Sequence, residues 1–142
     1  MTTIEKTQML TRVHHINFLV KDLEQAVSRY EEILGVVVTQ RDVLPDRGVK
    51  IARVRLGETW IVLVQPTDTQ GIPAKHLEQH GEGFFLISYQ VEDVLAAGTK
   101  VTAAGVAPVN SEPRQGLDDW LVLDLPADDL FGVSTQLVQS AD

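Results

Sequence analysis

The chain has 142 residues, 44% hydrophobic and 23% charged, which suits a single globular domain and excludes a disordered chain. It has no cysteine, so it has no disulfide framework, no thiolate metal site and no cysteine nucleophile. A formal charge of -8 argues against nucleic-acid and membrane-surface binding, and no apolar run approaches the about 18 residues that span a bilayer.

The opening MTTIEKTQMLTR has neither an apolar run of about 7–15 residues nor a small-residue cleavage site, so a cytoplasmic protein without a leader is expected. VHHINFLV then predicts a first strand over Val13–Val20. Alternation puts His14, Ile16, Phe18 and Val20 on one face, toward a helix, and Val13, His15, Asn17 and Leu19 on the other. Asp22 is a helix cap with Gln25 at the capping-box position, Leu23, Val27, Tyr30, Ile33 and Leu34 form an apolar stripe, and Gly35 stops the helix.

The β-branched run Val36–Val38 predicts the start of a second strand, and Pro45 and Gly48 a turn. Lys50–Leu56 and Trp60–Gln65 predict two strands joined at Gly57-Glu58. Residues 67–83 read as a polar linker with a short helix around Ala74–Gln79. The chain then repeats itself: a strand over Phe84–Val91, a helix over Asp93–Ala103, and strands near Val106–Val109, Trp120–Leu125 and Val133–Gln139. A shift of about 71 lays Asp22 on Asp93 and Val20 on Val91, and one of about 74 lays Gln65 on Gln139. The expected fold class is α+β: two tandem βαβββ modules, about 12–66 and 84–140, forming a curved mixed sheet with an open cup and helices on the outer face.

The stretches HHINFLVKDLEQAVSRYEEILG, LGETWIVLVQP, KHLEQHGEGFFLISYQVEDV and GVSTQLVQ together resemble the vicinal-oxygen-chelate superfamily, which includes glyoxalases, bleomycin-resistance proteins, extradiol dioxygenases and methylmalonyl-CoA epimerases. The third stretch is similar to the epimerase branch in particular. The resemblance implies four metal-ligand positions, which fall on His15, Val62, Leu86 and Gln136. Valine and leucine cannot coordinate a cation, so a degraded metal site and no cofactor are expected; any ion would have only His15 and Gln136.

Alternation assigns the cup lining to His15, Asn17, Trp60, Val62, Phe84, Leu86, Ser88, Gln90, Ser134 and Gln136, a largely apolar set with a few polar groups. His15 is the candidate for proton transfer, and a hydrogen bond from it to Gln136 is compatible with a structural or a ligand-binding role. Gln65 is expected to point away from the cup. His76 and His80 are expected in solvent, Arg53 and Arg55 as surface charge, and Asp118, Asp119, Asp124, Asp128 and Asp129 as a solvated acidic set. The leading functional expectation is a metal-free protein that binds a small organic molecule. The alternatives are an epimerase- or lyase-type enzyme using His15, and a metal-dependent glyoxalase or dioxygenase. The expected partners are a small-molecule ligand and a second copy of the chain.

Overall fold

The computed structural model describes residues 8–142, so the start of the amino-terminal stretch read for a leader lies outside the described residues. No described helix is long and apolar enough to cross a membrane. The strands are β1 (Arg12–Leu19), β2 (Gln40–Leu44), β3 (Val49–Leu56), β4 (Thr59–Pro66), β5 (Gly83–Gln90), β6 (Arg114–Gln115), β7 (Leu121–Leu125) and β8 (Thr135–Gln139). The helices are α1 (Leu23–Leu34), α2 (Ile72–His80) and α3 (Val94–Ala103). The strands pair in the order β2-β3-β4-β1-β5-β8-β7-β6. β1 runs parallel to β4, whereas β2, β3 and β4 pair antiparallel, as do β6, β7 and β8. This is the mixed α+β class, with the βαβββ order occurring twice.

The chain divides into two compact units, residues 14–87 and residues 8–13 with 88–142. In the first, α1 packs Leu23 and Val27 onto Val20, Ala52 and Leu63, with Phe18 and Tyr30 at the margin. In the second, α3 packs Val94 and Ala97 onto Leu123, Leu125 and Leu137. Each fully buried leucine in such a cluster contributes about 1.5–3 kcal/mol. Gly98 faces this packing: a Cβ there would stand 3.4 Å from Leu123 Cδ2, an ordinary van der Waals contact.

The two helices start in the same way. Asp22 accepts from the Gln25 N–H, and Asp93 from the N–H groups of Leu95 and Ala96. A glutamine closes each start from the last long strand of its unit: Gln65 Oε1 accepts from Leu23 N at 2.7 Å, and Gln139 Oε1 from Val94 N at 3.0 Å. The apolar stripe of α1 is only half used, since Ile33 and Leu34 are exposed.

Three elements differ most from expectation. Val36–Val38 are not in a strand; after the left-handed Gly35 cap the chain reaches β2 only at Gln40. Residues 106–109 form no strand either, and the edge strand β6 is a two-residue piece after Pro113. Pro108 and Pro113 withhold two backbone donors from this stretch, which explains the shift. The linker helix is longer than expected, with Pro73 in its first turn.

Candidate functional site

In the unit of residues 14–87, cross-strand register fixes which side chains share the face opposite α1. One row runs Gln40, Arg53, Val62, Asn17 across β2, β3, β4 and β1. The next runs Arg55, Trp60, His15 across β3, β4 and β1. His15, Asn17, Trp60 and Val62 therefore come together on one face, as alternation required. Val62 is 2% exposed and stands between two polar neighbours. Asn17 Oδ1 is buried with no hydrogen-bond partner.

His14 and His15 both lie buried. Successive residues of a strand point to opposite faces, yet the two Nδ1 atoms are 2.9 Å apart. Nδ1 sits next to Cγ, close to the backbone, so each ring can turn that atom back toward its neighbour. Such a contact is a hydrogen bond only if one Nδ1 carries a proton and the other does not. If His15 donates, its Nε2 is the basic lone pair; if His15 accepts, its neutral ring carries the proton on Nε2.

Arg53 corrects the surface-charge expectation. It is 1% exposed, its guanidinium carbon lies 4.8 Å from the Trp60 ring centroid, and it donates to Gln40 Oε1. The Asp42 carboxylate is 3.6 Å away. Arg55 lies 4.9 Å from the same ring and donates to the Gly57 carbonyl. Alternation had placed both arginines on one face of β3, but it carries no information about depth. Arg53 is buried because β2 pairs beyond it and Trp60 lies across it.

In the second unit Ser88 and Gln136 meet: Ser88 Oγ donates to Gln136 Oε1 at 3.0 Å. Gln136 Nε2 donates to Asp124 Oδ1 at 2.9 Å. Both ends of the amide are thus engaged by Ser88 and Asp124, not by an imidazole. Asp124 also takes Arg114 Nε at 2.8 Å and Nη2 at 3.3 Å, and its N–H donates to Asn110 Oδ1 at 2.7 Å. Asp124 is therefore no member of a solvated loop set; it sits on β7 directly opposite Gln136. By register it is the counterpart of Arg53, which sits opposite Val62.

Three predicted lining residues are placed elsewhere. Gln90 accepts from Arg12 Nε and Nη2 and donates to the Ser140 carbonyl, so its amide ties strand ends together. Ser134 lies before β8 and has no fixed strand face. Phe84 is 44% exposed and meets Phe18 edge-on, a residue of the helix-side cluster. Leu86 lies on β5, half-buried. His76, expected in solvent, is half-buried against Phe85 and His80, with ring centroids 4.9 and 4.5 Å away. Burial, and then the neighbouring His80, hold its pKa below the usual histidine range.

The metal implied by the resemblance does not fit these residues. Val62 and Leu86 offer no donor atom, the Gln136 amide is engaged, and among the described residues no three His, Cys, Asp or Glu side chains converge as ligands.

A family model described as glyoxalase/bleomycin resistance protein/dioxygenase superfamily matches residues 14–123. An ethylmalonyl-CoA/methylmalonyl-CoA epimerase of Cereibacter sphaeroides is 35% identical over 133 residues, covering 92% of this chain and 99% of that protein. A mitochondrial methylmalonyl-CoA epimerase of Homo sapiens is 30% identical over 132 residues, covering 92% of this chain and 75% of that protein. Among solved structures, a variant of the Streptomyces coelicolor methylmalonyl-CoA epimerase in complex with 2-nitronate-propionyl-CoA has a TM-score of 0.88 at 31% identity, covering 93% of this chain and 96% of that one.

Proposed function

Since the chain belongs to the glyoxalase/bleomycin resistance protein/dioxygenase superfamily, we propose that it binds an acyl-CoA thioester, and that it does so without a divalent cation. The thioester part of this reading is supported by epimerase relatives that match over nearly the whole chain. The metal-independent part rests on one observation: a 2% exposed valine occupies the centre of the polar row on β2, β3, β4 and β1. A residue there without a donor atom leaves recognition to the organic groups around it, namely the Arg53 guanidinium, the Asn17 amide, the Trp60 ring and the His15 imidazole. The test is calorimetric titration of the protein with methylmalonyl-CoA in EDTA. Binding that persists unchanged supports the reading. Binding that appears only on adding a divalent metal overturns its metal-free part, and no binding under either condition overturns it whole.

The His14–His15 contact favours a second reading, in which the bound thioester loses and regains the proton beside its carbonyl. A positioned base contributes about 10²–10⁴-fold to such a step. With Nδ1 donating to His14, His15 would present Nε2 as that base. The enolate would then draw on fixed amide and guanidinium donors, a weaker arrangement than a bound cation. Deuterium appearing at C2 of methylmalonyl-CoA in D₂O, and failing to appear with His15→Ala, supports catalysis; absence of exchange with the native protein leaves a binding protein.

A further inference from the structure

We propose that Arg53 recognises a free carboxylate on the acyl group of the ligand, and that Asp42 occupies the guanidinium until that carboxylate arrives. This rests on the thioester reading above and narrows it to carboxylated acyl groups.

Arg53 is set among apolar neighbours. Ile51, Val62 and Val64 are all buried on the same face of β3 and β4. Taking a guanidinium out of water costs several kcal/mol, and an aliphatic side chain of similar size at such a place is often as stable or more so. A second cation stands close by, since the Arg53 and Arg55 guanidinium carbons lie 4.8 and 4.9 Å from the centroid of one Trp60 ring. Two like charges on one ring raise the local potential for an anion, against the sign of the whole chain.

The acidic neighbour is poorly seated. Asp42 Oδ2 is 3.6 Å from Arg53 Nη2, and it is buried without accepting any hydrogen bond. An arginine–carboxylate pair in good geometry closes to about 2.7–2.9 Å, with two parallel bonds. The burial of the two partners is unequal as well: the Arg53 side chain is 2% exposed and that of Asp42 is 41% exposed. The arginine is fixed by Gln40 and Trp60, whereas the aspartate can swing into water. Asp42 thus marks the way in to Arg53. A ligand carboxylate that follows it gains the fork that Asp42 does not complete.

The test is calorimetry in EDTA of methylmalonyl-CoA against propionyl-CoA, which lacks the carboxylate, with the native protein, Arg53→Gln, Arg53→Lys and Asp42→Asn. A charge-assisted pair predicts that the native protein prefers methylmalonyl-CoA by about tenfold or more. Arg53→Gln should erase that preference, so that the two thioesters bind with equal affinity. Arg53→Lys should restore part of it. Asp42→Asn should tighten methylmalonyl-CoA alone. Equal affinities for the two thioesters in the native protein, or an Arg53→Gln that weakens both alike, overturn the proposal. Should Arg53→Gln fail to fold, Asp42→Asn decides: unchanged or weaker methylmalonyl-CoA binding overturns it. Should neither thioester bind, the coenzyme reading falls, and methylmalonate decides this one: binding that Arg53→Lys reduces upholds the assignment, and no binding overturns it.

Discussion

Gln136 Nε2 donates to Asp124 Oδ1 at 2.9 Å across β7 and β8, while Gln136 Oε1 accepts from Ser88. Gln136 is 4% exposed, so losing the carboxylate would strand an amide donor away from water. Asp124→Ala should therefore cost about 1–3 kcal/mol. Asp124→Asn keeps an acceptor for Gln136 and gives up the charge and the Oδ2 acceptor that face Arg114, a part-exposed pair worth about 0.2–1 kcal/mol. Urea denaturation of both variants checks this, and equal losses would sink it.

The glutamine caps predict a local effect. Gln65→Ala should remove the acceptor for Leu23 N and Gln139→Ala the acceptor for Val94 N, each costing about 1 kcal/mol. Amide hydrogen exchange measured by NMR should show faster exchange at Leu23 in the first variant and at Val94 in the second. Unchanged protection at both amides would show that water replaces the side chain without loss.

His76 predicts an acid sensitivity. Burial, then His80, lower its pKa in the folded chain, so folding favours the neutral ring. Its contribution is complete above the unfolded value of about 6.5 and falls away as pH drops below that, until the depressed folded value is passed. Between pH 7 and pH 5 the native protein should thus lose more unfolding free energy than His76→Gln. His80→Gln should reduce the sensitivity only in part, since burial is the larger cause. Parallel pH curves for native protein and His76→Gln would refute the assignment.

Val62→Glu tests the central row from the other side. The new carboxylate would stand directly across from Arg53, and opposite charges in that position attract. The variant should fold, should bind no more zinc than the native chain, since Leu86 still offers no donor, and should lose any preference for a carboxylated thioester. Zinc titration and the two-thioester calorimetry read these outcomes. Stoichiometric zinc would mean that Val62 alone had cost the chain its metal.

Much of this was legible in the residues. Asp22, Asp93, Gly35 and the repeat announced the doubled βαβββ order because caps and stops are local chemistry. The common face of His15, Asn17, Trp60 and Val62 followed from period-two alternation. What alternation lacks is depth. Arg53 and Arg55 share a face, but only the pairing of β2 onto β3 and the lie of Trp60 bury the first and leave the second part-exposed. Asp124 was lost among neighbouring aspartates because its partner, Arg114, comes from a two-residue strand with no periodic signal. Gln90 and Ser134 fit the pattern at strand ends, where the pattern no longer fixes direction.

The capped starts of α1 and α3 bear on the coenzyme part of the proposed ligand. Proteins often seat a pyrophosphate on the free N–H groups and positive end of a helix. Here α1 turns those groups onto Asp22 and Gln65, and α3 onto Asp93 and Gln139. Both helix beginnings are already answered from within the chain, by a carboxylate in each case. A phosphate approaching the start of α1 or α3 would meet a carboxylate first, so at these two ends any attraction would have to come from lysine and arginine side chains, which ions in solution screen readily.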